Sequence, residues 1–139
     1  MKLTSSDGAE IALRPTRYQF RAATRRGHGR DWDANWLVVR GDVTMADGEG
    51  WSFEDPCLTT WEARALGRWL RDVLAGTVAP SPFDGGGDEQ LLVFTEPNLA
   101  LSLGDRTAKR VRLRVHLSLK SLPPWSNDQN LWMALGEVT

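Results

Sequence analysis

The sequence predicts an α+β fold in which a single antiparallel β-sheet meander of about six to seven strands carries one main α-helix on one face. Two patterns support this prediction: a helical periodicity at residues 58–76, and short segments elsewhere in which apolar and polar residues alternate. A helix with one apolar stripe must bury that stripe, and only a sheet built from the other segments has enough apolar surface. The chain of 139 residues is expected to form a single domain over residues 1–139.

The predicted helix has recognisable signals at both ends. Thr59 and Glu62 have the spacing of a capping box, in which each side chain bonds the other residue's backbone N–H. Gly76 suits the left-handed conformation that ends many helices. The residues between these ends repeat at three- and four-residue spacing, which predicts one buried stripe. The stripe consists of Ala63, Leu66, Trp69, Leu70, Val73 and Leu74.

The remaining segments predict strands separated by turns. The expected strands span residues 10–13, 36–43, 51–53, 91–95, 99–103, 110–119 and 130–138. Pro56 is expected to end the third of them, because proline cannot donate to a ladder. The segment 110–119 alternates most strictly, so one face should be apolar and the other wet. The expected wet face consists of Arg110, Arg112, Arg114, His116 and Ser118.

Composition is that of an ordinary globular protein. Hydrophobic residues make up 41% of the chain and include seven Trp, so its core needs neither metal nor disulfide. The net charge of −1 produces no general attraction to nucleic acid or to a membrane surface. The single cysteine, an N-terminus without an apolar stretch and the absence of any run of ~18–20 apolar residues predict a cytoplasmic protein without signal peptide or membrane span.

No constellation of residues in the sequence predicts catalysis, a cofactor or a metal site. Two His and one Cys are too few for a four-ligand zinc site. Cys57, beside the helix start, could have a lowered pKa and pair with His116, but its apolar neighbours favour a small buried side chain. Glu54 and Asp55 are adjacent, so on a strand they point to opposite sides. The sequence therefore predicts a protein that is not an enzyme and uses no cofactor.

An arginine-rich segment is one candidate for contact with a partner. Six Arg lie between residues 14 and 30 without an acidic residue, which indicates either a solvated loop or a basic contact surface. Few aromatic residues accompany these arginines, and Asp31 and Asp33 follow directly. Nucleic acid is therefore not the expected partner.

Further candidates are a row of arginines and two tryptophans. Arg110, Arg112 and Arg114 form either a solvated face that discourages edge pairing or a surface for a partner. Trp32 and Trp61 are the tryptophans expected to be exposed, because Trp61 lies off the apolar stripe of the helix. Filling of the core is the default role of the other tryptophans.

Short motifs distributed over most of the chain follow one another in a characteristic order. They are Tyr18-Gln19-Phe20, Asn35-Trp36-Leu37-Val38-Val39, Trp51-Ser52-Phe53, Asp55-Pro56-Cys57-Leu58, Trp69-Leu70, Glu96-Pro97-Asn98-Leu99, Arg114-Val115-His116-Leu117-Ser118-Leu119 and Pro123-Pro124-Trp125. In this order and spacing the sequence resembles the WapI-type immunity proteins over about residues 10–125. Members of that family usually continue into a further strand and a C-terminal helix, whereas this sequence stops at Thr139.

The resemblance implies a function and a partner. WapI-type immunity proteins neutralise the toxic C-terminal domain of a large secreted or wall-associated bacterial polymorphic toxin. The expected partner is therefore a cognate toxin domain, a nuclease, whose active site or substrate surface the protein would occupy. Nuclease toxins are often basic, so an acidic patch is the expected complement. The candidate patch consists of Asp31, Asp33, Glu54 and Asp55, with Asp84, Asp88 and Glu89 as further members. The full set of candidate partner-binding residues is Asp31, Trp32, Asp33, Glu54, Asp55, Trp61, Arg110, Arg112 and Arg114.

Two alternative functions stay open at this point. A small ligand- or nucleic-acid-binding module would use the arginine-rich segment and the exposed tryptophans, and nucleic-acid binding that weakens steeply with salt would favour it. An enzyme that uses Cys57 is the other alternative. A Cys57→Ala variant that keeps every activity would exclude it.

Overall fold

The structure, a computed structural model, describes residues 1–19, 35–81 and 90–127. Its elements follow one another as β1 (Lys2–Thr4), β2 (Glu10–Tyr18), β3 (Trp36–Thr44), β4 (Gly50–Thr59), α1 (Thr60–Ala75), β5 (Leu92–Val93), β6 (Leu99–Arg106), β7 (Val111–Leu117) and a 3-10 helix (Leu119–Ser121). Several predicted features lie outside the described residues. They are the strand at 130–138 and the side chains of Asp31, Trp32, Asp33, Asp84, Asp88 and Glu89.

Seven strands of the described residues form two antiparallel sheets. The first sheet has the order β1-β2-β3-β4 and the second has the order β5-β6-β7. The α+β class with one helix is confirmed, whereas the strands are divided between two sheets and do not form one meander. Alternation along a strand shows which of its sides is buried but not which strand lies beside it. The division was therefore not visible in the sequence.

β4 is an edge strand of the first sheet, and its side chains contact the 3-10 helix and the residue that precedes β6. The indole N–H of Trp51 donates to the carbonyl of Ser121 at 2.9 Å. The side-chain amide of Asn98 donates to the carboxylate of Asp55 at 3.0 Å. These hydrogen bonds link β4 to segments that flank the second sheet.

The first sheet has an apolar inner side and a polar outer side. Its inner side carries Ile11, Leu13, Val39, Val43, Trp51 and Phe53, all of them buried. Gly41 faces Phe53 across the pair β3–β4, and a Cβ atom at this position would lie 2.2 Å from the ring. Only glycine therefore allows Phe53 to lie flat on the sheet.

Pro56 lies within β4, so the prediction that it ends the strand is wrong. The strand continues to Thr59, with a register shift between Leu37 and Val38 that leaves Cys57 as the extra residue of a bulge. β4 is the edge strand of its sheet, and a proline is tolerated on an edge because a neighbour is missing on one side.

The helix begins and ends where the sequence predicts. The backbone N–H of Glu62 donates to the Thr59 hydroxyl at 3.2 Å, and the backbone N–H of Thr59 donates to the Glu62 carboxylate at 2.8 Å. Gly76 has a φ of 86°, and the N–H of Thr77 returns to the carbonyl of Asp72, which completes a Schellman motif. Within the helix only Val73 is fully buried, whereas Leu74 is 76% exposed and lies outside the buried stripe.

A single core joins the two sheets and the first half of α1. Its buried members include Ile11 and Phe53 of the first sheet and Leu101 and Leu117 of the second, with Leu66 of α1 packed against them. A smaller cluster of Val73, Leu103 and Leu113 attaches the second half of α1 to the second sheet. Trp51 and Trp125 meet edge to face, with ring centroids 5.7 Å apart, although Trp125 remains largely exposed.

His116 and Ser118 are buried, so the prediction that they belong to a wet face is wrong. The Nε2 atom of His116 lies 2.9 Å from the Ser102 hydroxyl, which is also buried. The hydroxyl of Ser118 donates to the carbonyl of Pro97. Polar side chains tolerate burial when they find partners inside the protein, and alternation alone cannot show that such partners exist.

Candidate partner-binding surfaces

The exposed side of the first sheet carries a connected set of charged side chains. Antiparallel register places Arg14, Arg40 and Glu54 in one row and Asp42 beside Ser52 in the next. Asp42 lies 2.9 Å from Arg40 and 4.0 Å from Arg14. This outer face consists of Arg14, Arg17, Arg40, Asp42, Ser52 and Glu54.

Asp42 is the electrostatic centre of the outer face. Hydrogen bonds from Arg40 and from the Ser52 hydroxyl, the latter at 2.6 Å, lower the pKa of the Asp42 carboxyl below its ordinary value. The same contact with Asp42 raises the pKa of Arg40. These groups stay charged at physiological pH and lie at the surface, where an incoming charged side chain can reach them.

Glu54 and Asp55 lie on opposite sides of β4, as adjacent residues of a strand should. Glu54 belongs to the outer face, where it lies 3.9 Å from Arg17 and accepts a hydrogen bond from Thr16 at 3.4 Å. Asp55 is half-buried on the other side, where it accepts the hydrogen bond from Asn98. The two members of the candidate acidic patch that the structure describes therefore do not share one surface.

Asn98 connects three segments, a role that the sequence did not predict. Its side chain donates to Asp55 and accepts a hydrogen bond from the backbone N–H of Lys120 at 3.2 Å. Its backbone carbonyl accepts bonds from the hydroxyl of Ser121 at 2.6 Å and from the backbone of Ser118. Asparagine after proline also occurs in ordinary turns, so no local signal distinguishes this buried hub.

The three candidate arginines have three different surroundings. Arg110 precedes β7 in a turn that the Thr107 hydroxyl holds together by accepting from the backbone N–H of Arg110 at 3.0 Å. Arg112 is exposed and donates to Asp105 at 2.9 Å. Arg114 is half-buried and donates to the carbonyl of Ser81 at 2.9 Å. The row that the sequence suggests is therefore not one uniform charged face.

A cleft of about 740 Å³ lies between the second half of α1, β1 and the turn that joins β6 to β7. Its apolar lining includes Met1, Leu3, Leu70, Val73, Leu74, Val111 and Leu113. Its charged lining consists of Lys2, Arg106, Lys109 and Arg110. We call this feature the α1 cleft, and among the candidate arginines only Arg110 contributes to it.

Trp61 lies in the first turn of α1 and is half-buried, so the expectation of an exposed tryptophan is met only in part. It does not line the α1 cleft. Trp61 belongs to the helix, whereas strands of the first sheet form the outer face. The candidate residues that the structure describes are thus spread over several surfaces.

Cys57 is a buried thiol whose pKa is raised, whereas an activated cysteine has a lowered pKa. Burial, and then the negative charge of Asp55, raise the pKa of Cys57 to about 12. Its sulfur lies 4.0 Å from the side-chain amide of Asn98, whereas the ring of His116 lies beside Ser102. A reactive cysteine has a lowered pKa and is accessible, so the role of a small buried side chain is the better account.

The described part of the chain contains neither a cluster of metal-ligand residues nor a membrane-spanning helix. No group of three or more His, Cys, Asp or Glu in residues 1–19, 35–81 and 90–127 is placed to hold a metal ion. No helix in these ranges is long and apolar enough to span a membrane.

The fold and these surfaces define the class of an α+β protein with two antiparallel sheets, one helix and charged surfaces that a macromolecule can reach. The chain belongs to the immunity protein WapI-like family, whose model matches residues 2–136. The family suggested by the sequence motifs is thereby confirmed over nearly the whole chain. No curated protein and no solved structure matches it.

Proposed function

We propose that this protein binds the C-terminal toxin domain of a cognate polymorphic toxin, a nuclease, in the bacterial cytoplasm and blocks its active site or substrate surface. The observation that carries the proposal is the match of residues 2–136 to the immunity protein family. Neutralisation by binding requires a rigid surface and no chemical step. A four-stranded sheet with a charged outer face is a surface of this kind.

The carboxylates of the outer face are its contacts with a basic nuclease. A nuclease presents cations to the phosphates of its substrate, and Asp42 and Glu54 offer those cations an alternative. Each carboxylate already has a cationic neighbour in the chain, Arg40 beside Asp42 and Arg17 beside Glu54. Contacts of such exposed, internally paired charges contribute more to association rate and specificity than to affinity.

Co-expression tests the function. The toxin domain encoded immediately upstream is expressed in bacteria alone and together with this protein, and growth and the integrity of nucleic acid are measured. We expect the protein to restore growth and to form a stable complex with a catalytically inactive toxin domain. Absence of both binding and protection would reject the proposal. A toxin that stops growth while nucleic acid stays intact would reject its nuclease part.

Charge reversal tests the outer face. Glu54→Lys is expected to weaken toxin binding on the order of tenfold, chiefly by slowing association. Glu49→Lys is the matched control, because Glu49 is an exposed carboxylate in the turn between β3 and β4 and lies outside the outer face. Equal affinities of the two variants would show that the outer face is not the contact surface.

A further inference from the structure

The α1 cleft exposes apolar surface that the fold leaves uncovered. Leu74 is 76% exposed and Met1 is 43% exposed, and both line the cleft. Below them lie Leu3 and Val73, which are buried. Two large exposed apolar side chains above a buried apolar floor are typical of a surface that another molecule covers.

The charges around the cleft all have one sign. Lys2, Arg106, Lys109 and Arg110 line it, and the described lining residues include no Asp or Glu. Of these cations, Lys2 has an acidic partner, Glu10, at 2.8 Å. A cleft with low-dielectric walls and charges of one sign concentrates the opposite charge, so its occupant should be acidic.

Arg106 has a hydrogen-bond donor that the described residues leave unused. Its Nη2 atom is buried and has no hydrogen-bond partner among the described residues. The guanidinium lies against Gly76, where a Cβ atom would come within 2.7 Å of Nη1. A buried donor without a partner is costly, but Arg106 must turn toward the cleft that it lines to present this donor to a ligand. A carboxylate is the acceptor that fits a guanidinium best.

The end of the helix explains the position of Arg106 but not the unused donor. A cation beside Gly76 stabilises the negative end of the helix dipole, and the last turn of α1 has no basic residue of its own. The carbonyls of Asp72 and Val73 already accept bonds from the backbone N–H groups of Thr77 and Gly76. The dipole therefore accounts for a nearby positive charge and not for the missing acceptor at Nη2.

We infer that the α1 cleft binds an acidic segment of the protein partner, with one carboxylate on Arg106 and an adjacent apolar side chain packed between Leu74 and Val111. This inference rests on the proposed function, because the partner segment belongs to the toxin domain. The contact would be separate from the outer face. A toxin that is held both at this cationic cleft and at the outer face, where carboxylates alternate with arginines, is recognised by its charge pattern, which distinguishes it from other basic nucleases.

Affinity measurements on matched variants test the inference. Titration calorimetry with the catalytically inactive toxin domain compares the wild type with Lys109→Glu/Arg110→Glu, Arg106→Gln and Leu74→Ala. Each is expected to weaken binding on the order of tenfold or more. Arg64→Glu/Arg68→Glu reverses the same charge on an exposed part of α1 outside the cleft, and Val93→Ala shortens an exposed apolar side chain elsewhere. Circular dichroism and thermal melting establish that every variant is folded.

The outcomes separate this inference from the proposed function. Binding by the wild type with selective loss in the three cleft variants supports both. Wild-type binding that these variants retain, or that Arg64→Glu/Arg68→Glu weakens equally, overturns the cleft alone. No binding by the wild type overturns both. Self-association of the free protein that Lys109→Glu/Arg110→Glu abolishes would also overturn the inference, because the cleft would then hold a second copy.

Discussion

The carboxylate of Glu62 and the backbone of Thr95 are joined by a hydrogen bond of 2.6 Å, which fastens the start of the helix to the segment before β6. The Thr95 hydroxyl donates to the same oxygen at 2.7 Å, while the other oxygen accepts from the N–H of Thr59. Burial alone would raise the pKa of Glu62, but the hydrogen bonds from Thr59 and Thr95 outweigh it and lower that pKa. One side chain thus acts both as a cap and as a tertiary link.

Glu62→Gln is expected to destabilise the protein by about 1–2 kcal/mol at pH 7, because the cap and the charged acceptor of Thr95 are weakened together. The pKa of Glu62 is lower in the folded than in the unfolded protein. The contribution of the Glu62 charge to the free energy of unfolding is therefore complete above the unfolded pKa of 4.5. It is lost as the pH falls through the lower pKa of the folded protein.

Urea unfolding of Glu62→Gln and wild type between pH 7 and pH 3 measures this contribution. The difference between the two should shrink below a pH of about 4.5. Glu49→Gln, at an exposed turn position, serves as the control and should follow the wild type at every pH. A constant difference across the range would show that Glu62 contributes through its shape and not through its charge.

Gly67 within the helix and Gly76 at its end should respond to alanine in opposite directions. Gly76→Ala forces a Cβ atom into a left-handed conformation and against Arg106, and should cost about 1 kcal/mol or more. Gly67→Ala places its Cβ 3.8 Å from Arg71, an ordinary contact, and should stabilise the helix by about 0.5–1 kcal/mol. Thermal melting of both variants measures the effect, and a stabilising Gly76→Ala would contradict the observed helix end.

Local signals made the helix predictable from the sequence. Thr59 pairs with Glu62 three residues away, and Gly76 caps the last turn beside it, so the spacing of these signals carries the same information as their geometry. Alternation located the main strands but not their ends, since β2 continues to Tyr18 beyond the predicted 10–13 and β4 continues to Thr59 beyond the predicted 51–53. The 3-residue β1, whose only buried residue is Leu3, was too short to show a period.

The surfaces could not be predicted, because residues far apart in the chain form them. The α1 cleft combines Lys2 with Leu74 and Arg110, and the hub at Asn98 combines β4 with the 3-10 helix. The prediction that His116 is exposed was wrong for a similar reason, since its partner Ser102 lies on another strand. Nothing in the neighbourhood of these residues in the sequence indicates the partner that decides whether they are buried.

Asn98→Ala is expected to destabilise the protein by about 1–3 kcal/mol, because it removes the partners of Asp55 and of the backbone N–H of Lys120. Asn98→Asp keeps the shape but replaces the donor by a second carboxylate next to Asp55. At pH 7 it should therefore be more destabilising than Asn98→Ala.

Denaturant unfolding of the two Asn98 variants at pH 7 and pH 4 checks this expectation. Protonation of one carboxyl group restores a donor, so the deficit of Asn98→Asp relative to Asn98→Ala should narrow at pH 4. A conservative change at the exposed Glu96, Glu96→Gln, is the control in the same segment. If Asn98→Ala melted like the wild type, the hub would be structurally unimportant.

Cys57 should be unreactive in the folded protein and ionise only after unfolding. Burial and the charge of Asp55 raise the pKa of this thiol to about 12, whereas the unfolded value is 9.0. The unfolded state therefore loses its proton first, and the stability of the wild type should fall as the pH rises above 9.0. Cys57→Ala should lower the free energy of unfolding by about 1 kcal/mol at pH 7, should not show this alkaline decline in stability, and should keep full toxin binding.

Labelling with a thiol reagent at pH 8, with and without denaturant, measures the accessibility of Cys57. Rapid labelling of the folded protein would contradict the burial of Cys57 and restore the case for a nucleophile.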